Sequence, residues 1–192
     1  MGKQPRPVLA LLVVDAQNEL LDGDTAVPRA AEVTERIAAL LDAARRAGAL
    51  VVHVQNDGPP GSKYEPGTHG WEIHPSVAPL PSEPVVNKTG DDGFDGTELE
   101  QLLATAGLNR IAVAGVQSEM CVSATIRGAL LRKLEVVLAT DAHATYDVDD
   151  IPSTVVSRVA EHALGDEVEL APTESITFLP SVEGGADRAR DG

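Results

Sequence analysis

The sequence predicts an α/β fold: a doubly wound, mostly parallel six-stranded sheet with helices on both faces. Three observations predict it. Short apolar runs recur along the 192 residues, and segments with helical spacing of apolar residues alternate with them. The runs are continuously apolar, as strands covered on both faces are, and do not alternate like half-exposed strands. Such strand and helix alternation is built from right-handed crossovers.

Val8–Val14 and Leu50–Val54 read as the first two strands. Between them Val33, Ile37, Leu40, Leu41 and Ala44 recur at helical spacing, with Pro28 placed to open the helix and Gly48 to end it. Glu32 with Arg36, and Asp42 with Arg46, are i,i+4 pairs on its polar face, worth about 0.3 kcal/mol each. Val85–Val86 is a third strand. Thr97 is placed to cap a second helix with the stripe Leu99, Leu102, Leu103 and Ala106, closed by Gly107. After the strand Ile111–Ala114, Ser118 is placed to cap a helix carrying Val122, Ile126, Ala129 and Leu130. Val136–Leu138 is a fifth strand. Pro152 and Gly165 bracket a helix that includes Val155, Val156 and Val159, and Val168–Ala171 is a weaker sixth strand. Residues 8–179 form one domain, and 1–7 and 180–192 read as loose tails. Asn56–Pro84 is a Pro- and Gly-rich insertion of the length that usually carries function.

Lys and Arg number 15 against 30 Asp and Glu, a net charge of −15. That field repels phosphate backbones and anionic lipid, so neither nucleic acid nor membrane is an expected partner, and a small molecule is. The run Val8–Val14 is far too short to span a bilayer and no cleavage site follows it. Cys121 is the single cysteine, which excludes an intrachain disulfide and points to a reducing, cytoplasmic setting.

In an open α/β sheet the ligand lies beyond the carboxyl ends of the strands. Asp15 ends the first apolar run, Lys88 follows the third, and Cys121 lies just past the fourth. A carboxylate placed directly after seven apolar residues is costly unless paired or hydrogen-bonded. With Ser118 as cap, Cys121 falls in the first helical turn, where unpaired N–H groups and a nearby lysine depress a thiol pKa from about 8.5 toward about 3.5–7.5. The same N–H groups suit an oxyanion, each donor being worth about 3 kcal/mol. Asp15 is then left to take the thiol proton and return it to a leaving amine.

Three blocks are similar to the signatures of the isochorismatase-like cysteine hydrolases: Val13-Val14-Asp15-Ala16-Gln17-Asn18; Val86-Asn87-Lys88 with Phe94-Asp95-Gly96-Thr97-Glu98-Leu99; and Gly115-Val116-Gln117-Ser118-Glu119-Met120-Cys121-Val122. The resemblance runs in order from about Val8 to Ala142 and implies a Rossmann-like fold. It implies that Asp15, Lys88 and Cys121 are the catalytic triad, with a non-proline cis peptide between Val116 and Gln117. The oxyanion hole would be the N–H groups of Gln117 and Cys121. Leu20 and Phe94 stand where relatives wall the pocket. Relatives form dimers and larger rings, which implies a homo-oligomer. Family nicotinamidases carry an Asp-x-His metal motif after the second strand, where this chain has Val54-Gln55-Asn56-Asp57-Gly58. True isochorismatases commonly lack the cysteine present here. The segment Gly67 to Pro75, with His69, Trp71 and His74, resembles a substrate-loop motif of streptothricin-hydrolase-like members.

The resulting expectation is a hydrolase that cleaves a C–N bond of a small amide, lactam or ureide through a thioester, with no metal and no cofactor. Trp71 either stacks on substrate or anchors its loop. His69 and His74 are expected to contact solvent or substrate, since no acidic or thiol partner stands at ligand spacing. Two other readings remain: a vinyl-ether hydrolase with Asp15 as acid and Cys121 a bystander, and a catalytically silent small-molecule-binding oligomer. Ser118, His143 and Asp141 are components of a conceivable serine triad, although Gly115–Cys121 is no nucleophile elbow.

Overall fold

A computed structural model describes residues 6–181. Six strands, β1 (Ala10–Val14), β2 (Leu50–Asn56), β3 (Val85–Lys88), β4 (Arg110–Val116), β5 (Glu135–Ala144) and β6 (Val168–Ala171), form one sheet in the order β3-β2-β1-β4-β5-β6. Every ladder in it is parallel. The chain lays β1 to β3 outward in one direction, returns, and lays β4 to β6 in the other. The order reverses between β1 and β4, and a crevice opens at such a switch point. At that seam Gly115 pairs with Val14 and has φ +137°, and a Cβ there would sit 2.0 Å from the Val14 carbonyl oxygen. No side chain fits.

The helices are α1 (Asn18–Leu21), α2 (Ala30–Ala47), α3 (Leu99–Thr105), α4 (Ser123–Leu131) and α5 (Ser153–Leu164). On one face of the sheet α2 buries Val33, Ile37, Leu40, Leu41 and Ala44. On the other, Leu99 and Leu103 of α3 pack with Ile126 and Ala129 of α4. Gly48 ends α2 in the left-handed conformation, its N–H bonded to the Ala44 and Arg45 carbonyls. Pro28 does not open that helix: Arg29, at φ 65°, stands between it and Ala30. The expected Glu32–Arg36 pair gives way to other partners, and the neighbouring Arg45 reaches out of the helix. Glu32 pairs with Arg29, Arg36 with Asp141 at 3.5 Å, and Arg45 forks onto Glu83 at 2.8 and 2.9 Å. Thr97 accepts from the Leu99 N–H at 3.3 Å, one position ahead of the formal cap Glu98.

On α5 the buried residues are Ser153, Ala160 and Leu164, whereas Val155 and Val159 are 47% and 62% exposed. The bracketing residues are right and the apolar face is turned outward. The described ends of the tails are tied down rather than loose. The Arg6 carbonyl accepts from Arg110, and Ser181 N–H bonds the Gly48 carbonyl. The remaining tail residues, 1–5 and 182–192, lie outside the described residues. The insertion folds back over the β1–α1 corner. Gln17 and Gln55 both donate to the Trp71 carbonyl, at 2.8 and 2.7 Å, and the Asn18 and Glu19 N–H groups bond Glu72 and Gly70.

His53 on β2 is buried, with Nε2 3.4 Å from Glu83. Burial holds its pKa below the ordinary value despite the raising effect of Glu83. The unfolded chain therefore takes up a proton near pH 6.5 that the folded chain refuses, so stability falls as pH drops below about 6.5, by at most about 1.4 kcal/mol per pH unit. His53→Gln is expected to flatten that slope, measured as urea midpoints between about pH 7.5 and about pH 5.5.

Candidate active site

Asp15 follows β1 directly and continues its ladder, its N–H bonding the Val54 carbonyl at 2.8 Å. Its φ of 48° turns the chain over the end of the strand. A non-glycine residue held there costs on the order of 1–3 kcal/mol, and such residues gather at functional sites. The turn aims the buried carboxylate along the strand ends toward β3. Lys88, the last residue of β3, has a side chain with 0% exposure. Its ammonium has three protons and three partners: Asp15 Oδ2 at 2.8 Å, the Gly90 carbonyl at 3.0 Å and Cys121 Sγ at 3.4 Å. A buried charge needs this degree of satisfaction.

Cys121 comes from the far side of the seam. The Val116–Gln117 bond at the end of β4 is cis. A π-turn over Ser118–Val122 follows, in which the Gln117 carbonyl accepts from the N–H groups of Met120 and Val122 at 3.2 and 3.1 Å. Met120 departs from helical geometry at φ −106°, ψ −105°, and α4 starts only after it. Ser118 therefore does not cap α4. Its carbonyl instead accepts from the Ser123 hydroxyl at 2.7 Å. Asp91 Oδ1 lies 3.6 Å from the sulfur on the open side.

Electrostatics overturn one expectation. Burial first, then the Asp15 carboxylate, push the Cys121 thiol up, outweighing the lowering by Lys88. The lysine lowers the thiol as expected, but loss of water and the carboxylate on the same ammonium outweigh it. Asp15 is itself raised, by burial above all, against the opposing pull of Lys88. For Lys88 burial is the largest single influence and lowers the pKa, yet Asp15 and Cys121 together raise it on balance. The Asp15 carboxyl group and the Cys121 sulfur both meet the Lys88 nitrogen, at 2.8 and 3.4 Å. Asp15 Oδ1 has no hydrogen-bond partner.

No hydrogen bond joins the residues expected to bind substrate to the Asp15, Lys88 and Cys121 cluster, and each has other partners among the described residues. Leu20 and Phe94 are core residues on opposite faces of the sheet, and the Phe94 ring carries the Arg132 guanidinium at 4.6 Å. Trp71 anchors its loop, its indole N–H donating to Asp57 at 2.7 Å. The His74 ring accepts from the Ser76 N–H at 3.3 Å beside a hollow lined by Leu21, Asp22 and Thr34, away from the sulfur. His69 Nδ1 lies 3.4 Å from Asn18 Nδ2. Among the described residues no three His, Cys, Asp or Glu side chains converge as a metal site.

A profile of the isochorismatase domain matches residues 9–166. The chain belongs to the isochorismatase domain family. It is 55% identical over 174 residues to a streptothricin hydrolase of Streptomyces noursei, a match covering 87% of this chain and 69% of that protein. A second streptothricin hydrolase of Streptomyces noursei is 56% identical, and the match spans 62% of its length. Among solved structures, an isochorismatase from Pseudomonas putida superposes with a TM-score of 0.84 at 31% identity, covering 90% of this chain and 93% of that one. An N-carbamoylsarcosine amidase from Thermoplasma acidophilum does so with a TM-score of 0.72 at 26% identity, covering 86% and 96%.

Tyr64, which sequence reasoning passed over, is a partly buried residue packed against the core. It comes from the insertion, and burial above all raises its phenol, with smaller contributions from acidic neighbours. The signal available was modest: Tyr64 and Trp71 are the aromatic residues of Asn56–Pro84, and an aromatic with a polar tip suits a pocket wall.

Proposed function

We propose that this member of the isochorismatase family hydrolyses the C–N bond of a small amide, lactam or ureide, with Asp15, Lys88 and Cys121 as the catalytic triad. The single observation that carries the reading is the Lys88 ammonium, bonded at once to the Asp15 carboxylate at 2.8 Å and the Cys121 sulfur at 3.4 Å. Relatives named as a streptothricin hydrolase and an N-carbamoylsarcosine amidase support the bond class. In the reaction Asp15 takes the thiol proton as Sγ adds to the carbonyl. The N–H groups of Gln117 and Cys121 receive the oxyanion. Collapse of the tetrahedral species breaks the C–N bond, and Asp15 protonates the departing amine. Water, deprotonated by Asp15, then opens the thioester, and the proton returns to sulfur. Lys88 holds both partners in register.

Release of ammonia or amine from a panel of amides, ureides and lactams tests the reading, with Cys121→Ala as control. A vinyl-ether route is the second reading, favoured by the raised carboxyl of Asp15, which suits an acid. Alkylation of Cys121 separates the two, because the vinyl-ether route survives it. A catalytically silent binding oligomer would release no amine from any compound.

Among the described residues no helix is long and apolar enough to cross a membrane. We place the protein in the cytoplasm on its single cysteine. We also assign a homo-oligomer, with the exposed Val155 and Val159 of α5 in the contact. Light scattering should return at least twice the 20.1 kDa chain mass, and V155D/V159D should lower it.

A further inference from the structure

Behind the cysteine, buried polar side chains form a chain of their own. Ser118 Oγ lies 2.7 Å from His143 Nδ1 and 2.9 Å from Ser157 Oγ, and His143 Nε2 lies 3.1 Å from Glu161 Oε1. The Ser118 residue is 2% exposed and the His143 side chain 1%. The third member is Glu161 of α5, not Asp141, which instead accepts from the N–H and hydroxyl of Thr173. A slip in the ladder between β4 and β5 makes the contact. Past Val113, which pairs with Leu138, Gly115 sits opposite His143 where an uninterrupted register would have put Thr140.

One proton arrangement satisfies every member. A carboxylate only accepts, so Nε2 carries a proton toward Glu161, and in the neutral ring Nδ1 is an acceptor. The Ser118 hydroxyl must then donate to Nδ1 and accept from the Ser157 hydroxyl. Its proton and its acceptor site toward α5 are committed, and it is sealed from solvent. A serine that donates to a histidine paired with a carboxylate has the connectivity of an activated serine, so it is the burial of Ser118, out of reach of substrate, that argues against it as a nucleophile.

We infer that Ser118, His143 and Glu161 are a positioning relay that clamps the nucleophile loop to β5 and α5. The inference rests on the cysteine-hydrolase reading of the same site. Ser118 stands between Gln117, proposed to donate to the oxyanion, and Cys121, which attacks. Its side chain is tied to β5 and α5, and its carbonyl to Ser123 at the start of α4. The loop is not a regular helix, so helical hydrogen bonds alone do not set the path of its backbone. Loosening it displaces sulfur and oxyanion donors relative to each other, and a shift of about 1 Å costs about a hundredfold in rate. Substrate binding by the rest of the pocket is untouched.

Ser118→Ala and Glu161→Ala are therefore expected to lower kcat by about 10- to 100-fold while KM stays within about threefold. Glu161→Gln, whose amide oxygen still accepts from Nε2, is expected to restore kcat to within about threefold of the parent. Circular dichroism of each variant confirms folding, and the alkylation rate of Cys121 without substrate gives a second readout, altered severalfold in Glu161→Ala and near the parent in Glu161→Gln. Unchanged kcat in both alanine variants overturns the relay. So does an equal loss in Glu161→Gln and Glu161→Ala, or labelling of Ser118 by a fluorophosphonate. If parental turnover survives Cys121→Ala, the cysteine-hydrolase reading fails instead, and the alkylation rates alone then decide whether the clamp exists.

Discussion

Cys121→Ala is expected to lower amide turnover by about 10⁴-fold or more, the scale seen when a covalent nucleophile is removed. No neighbour can replace the sulfur. The Ser118 hydroxyl is engaged by His143 and Ser157, and Asp91, 3.6 Å from Sγ, is a weak nucleophile toward an amide. The fold should tolerate the change. The residue is only partly buried, and the Lys88 ammonium keeps Asp15 and the Gly90 carbonyl as partners, so stability should move by no more than about 1 kcal/mol. Steady-state amine release measures the first effect and urea denaturation the second. Mass spectrometry of the parent, quenched during turnover, should show an acyl adduct on Cys121 that the variant lacks. Turnover within tenfold of the parent would remove the thioester from the mechanism.

Asp15→Asn is expected to abolish turnover and, at the same time, to make the thiol easier to ionise. The first effect is the loss of a general base and acid, worth about 10²–10⁴-fold. The second follows from the causes of the raised thiol. Asp15 contributes a negative charge that disfavours the thiolate, and the amide removes it. Burial remains, and so does Lys88 at 3.4 Å, which favours the thiolate. The midpoint of Cys121 alkylation against pH should therefore move down from that of the parent. A thiolate would also supply the counter-charge that Lys88 has lost. Until it forms, the buried ammonium is short of an anion, and removing one partner of such a pair costs about 3–5 kcal/mol. Urea unfolding should register that loss below the new midpoint, with part of it recovered above. A midpoint that stays put or rises would show that Asp15 and Cys121 are not coupled through Lys88.

Much of the frame was legible in the residues. The apolar runs found all six strands, and the stripe Val33, Ile37, Leu40, Leu41 and Ala44 found α2 together with its buried face. Those signals are local, carried by a period and a terminating glycine. The valines of α5 marked a helix without saying which way it faces: Val155 and Val159 point outward while Ser153, Ala160 and Leu164 face the protein. Apolar character marks surface awaiting cover, and does not say whether this chain or another covers it. The capping role given to Ser118 failed because a turn of different pitch intervenes before α4 and draws its hydroxyl toward β5.

Sequence alone determined which chemical groups stand at the carboxyl ends of β1, β3 and β4: a carboxylate, an ammonium and a thiol, each directly after a strand or a short turn. It did so because strand ends are set by local apolar periodicity. Only the tertiary structure decided that Lys88 touches both other groups, that the ladder slip brings His143 under Ser118, and that the thiol is raised rather than depressed. Proton affinity depends on lost water and on charges a few ångströms away, and those neighbours come from residues dozens of positions apart.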